Sequence, residues 1–164
     1  MGNKLTSRQR KAILWFLLIA NMAAIFALSA QTADVSTDET DEVIALPKLV
    51  FDTLHPERAN DYSVLELFRF IVRKTAHFME FATLSVWIWL LYILYEKGRP
   101  FVSGAVLSSL YAASDEIHQI FVPGRTCKIS DWCIDTAGAI AGVLVIWVLV
   151  NRTHRARMND PIER

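Results

Sequence analysis

Long apolar stretches separated by charged segments predict a helical membrane protein. Residues 12–30, 75–95 and 132–150 each approach the ~20 residues that a helix needs to cross a bilayer core. Residues 101–121 have the length of a fourth span, although two acids, a histidine and a glutamine lie near their end. We therefore expect an all-α fold with four transmembrane helices in a single membrane domain, residues 1–164.

The first apolar stretch also allows a second interpretation. A basic segment precedes it, and the tripeptides "ALS" and "LSA" near its end are compatible with cleavage of a signal peptide. The stretch is longer than the roughly 7 to 15 residues of a signal-peptide core. Its length therefore favours a retained span.

The segment between the first two spans, residues 31–74, is predicted to lie outside the membrane. Up to residue 61 it contains Pro47 and Pro56 and shows no sustained period, which predicts irregular structure partly lodged at the membrane surface. Ser63 and Glu66 then have the spacing of a capping box. An amphipathic interfacial helix is expected from there, leading into the second span. Its apolar face would contain Val64, Leu65, Phe68, Ile71 and Val72, and its polar face Glu66, Arg69 and Arg73.

Charged residues are segregated along the chain, which has 17 basic and 17 acidic residues although 53% of it is hydrophobic. Basic residues flank the spans on one side: Lys4, Arg8, Arg10, Lys11, Lys97, Arg99, Arg152, Arg155, Arg157 and Arg164. The acids in the same segments are Glu96, Asp160 and Glu163. The positive-inside rule then places both termini in the cytoplasm. The lipid bilayer is the expected surrounding; no cofactor and no nucleic-acid partner are expected, and the oligomeric state stays open.

Polar side chains concentrate where three spans are predicted to reach the outer surface. The third span runs outward, so Asp115 lies roughly 21 Å along it at 1.5 Å per residue. The second and fourth spans run inward and contribute polar residues at their starts. The candidate site contains Arg73, Lys74, His77, Glu80, Asp115, Glu116, His118, Gln119, Arg125, Asp131 and Asp135.

Helical spacing groups some of these side chains. Lys74, His77 and Glu80 recur every three residues and form one ridge. Asp135 lies on a ridge continued by the small-xxx-small motif "GAIAG", residues 138–142. Because such motifs let helices approach closely in lipid, we expect Asp135 to face a neighbouring helix.

Three polar segments resemble the characteristic segments of the VanZ-like family of bacterial membrane proteins: "RKTAHFMEF" at 73–81, "SDEIHQIFVPGR" at 114–125 and "SDWCIDTAGAIAG" at 130–142. The matching positions are Lys74, His77, Asp115, Glu116, Gln119, Arg125, Asp131, Asp135 and Gly138. Family members often carry Asn where this chain has Asp135, and residues 31–61 have no counterpart in the family pattern. The resemblance implies a protein of the bacterial plasma membrane and cell envelope, associated with resistance to the glycopeptide teicoplanin. It implies no particular reaction.

Three interpretations of the cluster stay open. In a structural network, Arg125 or Lys74 would neutralise Asp115 or Glu116 and fix the helix packing. In a catalytic or binding site, adjacent acids at low dielectric would differ in pKa, with His77 as acid or base. Transport by proton-carrying acids is the third interpretation.

The catalytic or binding interpretation assigns a role to each residue. The reactive centre would be His77, Asp115 and Glu116, and the substrate-binding residues would be Arg73, Lys74, Glu80, Gln119, Arg125, Asp131 and Asp135. Arginine and lysine bind phosphate groups well. The expected substrate is a lipid-linked cell-wall precursor or a phospholipid on the outer leaflet.

Other reactive side chains are given structural roles. No zinc-binding motif is present, so no metal site is expected. His118 is expected to point away from the other polar residues, and Ser114 to pack between helices. Cys127 and Cys133 are expected to be free thiols.

Overall fold

The computed structural model describes residues 5–59 and 61–158, and within these residues the fold is entirely helical. In chain order the elements are α1 (Ser7–Ser29), α2 (Ala33–Leu54), a short 3-10 helix (Pro56–Arg58), α3 (Tyr62–Leu94), α4 (Pro100–Gln119) and α5 (Ile129–Met158). The all-α prediction is confirmed for this part of the chain. Lys4, Asp160, Glu163 and Arg164, which entered the prediction of orientation, lie outside the described residues.

Three helices in the described part of the chain are long and apolar enough to cross a membrane: Ser7–Ser29, Tyr62–Leu94 and Ile129–Thr153. Helix α4 has 20 residues but is more polar, with Ser108, Asp115 and other polar side chains buried in the bundle. It packs against both α3 and α5. Asp115, Glu116 and Gln119 at the end of α4 are therefore covered by protein.

Helix α3 is the central element, since α1, α2, α4 and α5 all pack on it. Phe81, Leu84 and Ile88 of α3 are buried against Ile25 of α1 and Ala112 of α4. Many large apolar side chains on the outer faces of α1, α4 and α5 are exposed. Such an outward-facing apolar surface is suited to contact with lipid.

Two glycines allow α3 and α5 to pack with their backbones in contact. A Cβ atom at Gly138 would overlap the carbonyl oxygen of Phe78, and one at Gly142 would overlap that of Ala82. The close approach predicted from the small-xxx-small motif is confirmed. As a consequence Asp135, one turn earlier, is only 1% exposed.

The segment after α1 is a helix of 22 residues, so the prediction of irregular structure for residues 31–61 was wrong. The buried face of α2 mixes polar and apolar residues, including Thr40 and Ile44. The Thr40 hydroxyl donates to the carbonyl of Ser36 at 2.7 Å. Pro47 lacks an N–H group yet lies inside the helix. The prolines and the partly polar buried face obscured a helical period that is present in the exposed apolar residues Val43, Leu46, Val50 and Leu54.

Helix α3 begins at Tyr62 without the predicted capping box. Asp61 is the N-cap residue, and its carboxylate accepts from the backbone N–H of Ser63 at 3.0 Å and from its hydroxyl at 2.6 Å. Ser63 is thus a donor within the first turn, and its pairing with Glu66 as a capping box was wrong. The interfacial helix and the second span form one continuous helix of 33 residues.

The predicted polar face of the interfacial helix makes a contact between helices. The Arg69 guanidinium donates to both carboxylate oxygens of Asp41 on α2, at 2.7 and 2.6 Å, and to Glu66 at 2.7 Å. A bidentate ion pair of this kind fixes both distance and orientation, so it clamps α2 to the start of α3.

We expect the Arg69 clamp to loosen in acid. The hydrogen bond from Arg69 holds the pKa of Asp41 below its ordinary value. A carboxylate whose folded-state pKa is lowered stabilises the fold above its unfolded pKa, and this contribution is lost as pH falls through the folded-state pKa. Amide protection factors in α2, corrected for intrinsic exchange, should therefore fall below about pH 4.

The matched variants are Arg69→Met and Arg58→Met. Arg58 makes an exposed ion pair with Asp61 and does not contact α2 through it. Arg69→Met should lower the protection of α2 at neutral pH already, while Arg58→Met should leave it unchanged. Equal protection in both variants at neutral pH would show that the clamp does not hold α2.

Candidate functional site

Four helices and one loop meet at the candidate site. The end of α1, the middle of α3, the end of α4 and the start of α5 converge there, and residues 120–128 connect α4 to α5 across it. The loop turns at Gly124, which has a positive φ of 76° and packs against Ala33 at the start of α2. We call this the site end of the bundle. The segments of α3, α4 and α5 that were expected to meet lie here, although that of α3 is not a helix end, and the start of α2 packs on the loop.

Asp115 is buried, with 4% of its surface exposed. Its Oδ2 atom accepts hydrogen bonds from the Ser29 hydroxyl at 2.7 Å and from Nε2 of Gln119 at 3.0 Å. Both partners are neutral. Ser29 was missed by the sequence analysis because a lone serine at the end of an apolar span carries no distinguishing pattern. The network joins α1 to α4.

Glu116 is also buried but faces the loop. Its Oε2 atom accepts from the backbone N–H of Lys128 at 2.8 Å. Partial desolvation, and then the charge of Glu116, raise the pKa of the nearby Cys127 thiol. A thiol of raised pKa stays protonated at neutral pH and is a poor nucleophile. Through its hydrogen bond to the backbone of Lys128, Glu116 anchors the loop that closes the site end.

Lys74 and Asp131 form an ion pair between α3 and α5, with 2.6 Å between Nζ and Oδ2. Both side chains are about one-fifth exposed, at 22% and 20%. The structure thus gives Lys74 a different partner from Asp115 and Glu116, the acids considered for it from the sequence. The pair joins the same two helices as the glycine contact.

Arg125 binds the end of α1. Its Nε atom donates to the carbonyl of Gln31 at 3.1 Å, and its Nη2 atom lies 3.5 Å from the carbonyl of Leu28. Carbonyls at a helix C-terminus carry partial negative charge and attract cations. Burial is the main influence on the pKa of Arg125 and lowers it, but an arginine stays charged in proteins.

His77, Glu80 and Asp135 lie close together without hydrogen bonds to one another. His77 Nδ1 lies 3.8 Å from Glu80 Oε2 and 4.0 Å from Asp135 Oδ1, both beyond hydrogen-bond distance. Within the described residues, His77 Nδ1 and both carboxylate oxygens of Asp135 are buried without a hydrogen-bond partner. Unsatisfied buried groups are rare in native proteins and call for an explanation.

Two small cavities border this group. One of about 260 Å³ lies between α3, α4 and the loop, and one of about 170 Å³ lies between α3 and the start of α2. Arg73, His77 and Arg125 line both cavities. Of the predicted reactive centre, only His77 lines these cavities; Asp115, Glu116 and Asp135 line neither of them.

The remaining reactive side chains lie apart from the cavities. The His118 ring stacks on Phe26 with 4.5 Å between centroids, so the prediction that it points away is confirmed. Ser114 is exposed and its hydroxyl donates to the carbonyl of Tyr111 in the same helix at 2.7 Å, so the prediction that it packs between helices was wrong. Cys127 and Cys133 are exposed free thiols. Across residues 5–59 and 61–158, no three His, Cys, Asp or Glu side chains are arranged to hold a metal ion.

Comparison with known proteins identifies the family. A family model described as VanZ/LLP1 matches residues 14–150, which include every candidate site residue from Arg73 to Asp135. No curated protein and no solved structure matches the chain. Because the match covers most of the sequence and three helices have the length and composition of membrane spans, the chain is a membrane protein that belongs to the VanZ/LLP1 family.

Proposed function

We propose that this chain is a four-span protein of the bacterial plasma membrane with both termini in the cytoplasm and its site end facing outward. The packing of the 20-residue α4 against α3 and α5 supports a fourth span. The packing of Leu18 and Ile25 into the core supports α1 as a retained span. Basic residues at the end opposite the site support the orientation.

At the site end the protein binds the anionic group of a lipid-linked cell-wall precursor, and in doing so lowers the susceptibility of the cell to teicoplanin-type glycopeptides. The larger cavity carries this proposal. Its lining contains four cationic side chains, Arg73, Lys74, Arg125 and Lys128. Asp131, paired with Lys74, is the acid among the described lining residues. The cavity therefore has a surplus of positive charge.

Two of these cations are available to a ligand. The side chains of Arg73 and Lys128 make no hydrogen bond or ion pair with another described residue, whereas Arg125 is engaged with α1. An arginine can hold a phosphate through two parallel hydrogen bonds, and a lysine adds a point charge. Partial burial of the cavity reduces the competition from water and salt.

A second candidate is a membrane enzyme that acts on a phosphorylated lipid as a hydrolase or transferase. The observation that favours it is the group of His77, Glu80 and Asp135, in which His77 Nδ1 and the Asp135 carboxylate have no hydrogen-bond partner and His77 lines the cationic cavity. An imidazole within about 4 Å of two carboxyl groups is suited to general acid–base catalysis. In this scheme Asp115 and Glu116, which bind neutral donors, position the helices and take no proton from substrate.

A purely structural role and a transport role account for the site less well. The satisfied hydrogen bonds of Asp115 and Glu116 favour a structural contribution by these two acids. They leave the cationic cavity unexplained. Transport through four spans needs an oligomer to form an alternating-access path.

The test is the teicoplanin inhibitory concentration of cells that lack the protein or carry one of three forms at matched membrane abundance. These forms are the original, the double variant Arg73→Gln/Lys128→Gln, and the control Arg58→Gln/Arg155→Gln, which removes two exposed charges outside the cavities. We expect the original and the control to protect equally. The cavity variant should fall to the level of cells without the protein.

Two outcomes would contradict the proposal. Full protection by the cavity variant would show that the positive charge of the cavity is not needed for protection. If the original itself gives no protection, then resistance to teicoplanin-type glycopeptides is not the role of this chain.

A further inference from the structure

A wide apolar groove runs between α1 and α4, with α3 as its floor. Its volume is about 730 Å³. Leu18 and Met22 of α1, Leu84 and Ile88 of α3 and Leu110 of α4 line it. We call it the α1–α4 groove. It shares no lining residue with the two cavities at the site end.

Contacts between α1 and α4 close one end of the groove. The Tyr111 hydroxyl donates to the carbonyl of Met22 at 2.9 Å, and Ser29 bonds Asp115 further along. Towards the other end of the bundle the groove extends past Trp15 and Tyr95 to Lys97. An occupant therefore enters from the end where α1 begins, opposite the site end.

The length of the groove matches one leaflet of a bilayer. Along α3 it extends from Leu84 to Tyr95. At a rise of 1.5 Å per residue these positions are about 17 Å apart. Half of a ~30 Å hydrocarbon core is about 15 Å. The groove thus has the length of an extended lipid chain within a single leaflet.

Cations and aromatic side chains mark the open end. Nε1 of Trp15 donates to the Tyr95 hydroxyl at 3.1 Å, and Nζ of Lys11 lies 4.4 Å from the centre of the Tyr95 ring. Lys97 lines the mouth itself. Tryptophan and tyrosine concentrate at the level of lipid headgroups, and lysines there attract anionic headgroups. Glu96 is the acid in the same turn, so the mouth stays net positive.

From these observations we propose that the α1–α4 groove is a binding site for an anionic phospholipid of the leaflet at which α1 begins. One acyl chain lies in the groove between α1 and α4. The phosphate lies at the mouth and binds Lys11 and Lys97. This site is separate from the anionic site proposed above and does not depend on it.

The experiment measures lipid retention by the purified full-length protein in native mass spectrometry. The probes are phosphatidylglycerol and phosphatidylcholine with identical acyl chains. We expect the original protein to retain phosphatidylglycerol about tenfold better, because two lysines contact its headgroup. Lys11→Gln/Lys97→Gln should abolish that preference and leave phosphatidylcholine retention unchanged.

A second pair of variants tests the groove itself. Leu107→Trp fills it, whereas Val106→Trp places the same side chain at the neighbouring position of α4 outside the lining. Leu107→Trp should reduce retention of both lipids at least fivefold, and Val106→Trp should not. Thermal unfolding of each variant in detergent identifies any that is misfolded.

Three results would overturn the proposal. They are equal retention of the two lipids by the original, equal displacement by the two tryptophan variants, and a lipid-free dimer as the main species. The last result would mean that a second copy of the chain occupies the groove.

Discussion

Replacing Gly138 with leucine is expected to prevent α3 and α5 from packing and to remove most folded protein from the membrane. Any Cβ at this position meets the carbonyl of Phe78, which belongs to a helix backbone and cannot rotate away. Overpacking typically costs about 1 to 3 kcal/mol, and a clash with backbone lies at the upper end of that range or beyond. The effect extends to the site, because Asp135 and the Lys74–Asp131 pair depend on the same helix contact.

The measurement is the fraction of monodisperse protein in size-exclusion chromatography after extraction in a mild detergent. Gly98→Leu is the matched control, since a Cβ added at Gly98 has no atom within 4 Å. Gly98→Leu should behave as the original protein does. If Gly138→Leu is recovered equally well, then the two helices do not need their close approach.

Replacing Asp115 with leucine is expected to lower stability by about 2 to 6 kcal/mol, because two buried neutral groups lose their acceptor. The Ser29 hydroxyl and the Gln119 amide would lose their shared acceptor inside the bundle. Each unsatisfied buried group costs about 1 to 3 kcal/mol. Because these bonds join α1 to α4, the loss should separate those two helices first.

Asp115→Asn separates the charge of this residue from its hydrogen bonding. The asparagine side chain keeps an oxygen that can accept from Ser29, so thermal stability should fall much less than in Asp115→Leu. If both variants lose stability equally, the negative charge and not the hydrogen bonds holds α1 to α4. If Asp115→Asn keeps stability but loses teicoplanin protection, the carboxylate belongs to the functional site and is more than a structural element.

Much of the fold follows from patterns that survive in a single sequence. Continuous apolar runs specify α1 and α5, and the small residues Gly138 and Gly142 specify the close approach of α5 to α3. Counting residues along each helix was enough to predict that Lys74 and Asp131 lie at the same depth, where they form an ion pair. These features depend on local periodicity and helix geometry, and both can be derived from the spacing of residues in the sequence.

Helix α2 was missed although the spacing of its exposed apolar residues is helical. Its buried face is partly polar, since Thr40 bonds its own backbone and Asp41 bonds Arg69. Pro47 adds a local signal against a helix. Tertiary contacts with α3 outweigh both signals.

The partners of individual charged side chains could not be predicted from the sequence either. Ser29 lies 86 residues before Asp115, and the carbonyls that bind Arg125 carry no side-chain identity. A sequence shows which charges reach the same depth. It does not show which of several acids at that depth is nearest to a given lysine, because that choice depends on helix rotation and on the path of the loop.

The bond between Ser29 and Asp115 places a constraint on the order of biosynthesis. At about 5 to 20 residues per second, the ribosome needs roughly 4 to 17 seconds to synthesise the chain between these two positions. During that time α1 has already been made, while its acceptor on α4 does not yet exist. In the proposed four-span arrangement, α4 with its two buried acids enters the membrane after α1 and α3, which then cover those acids. The first helix made thus provides a surface on which a helix synthesised much later can dock.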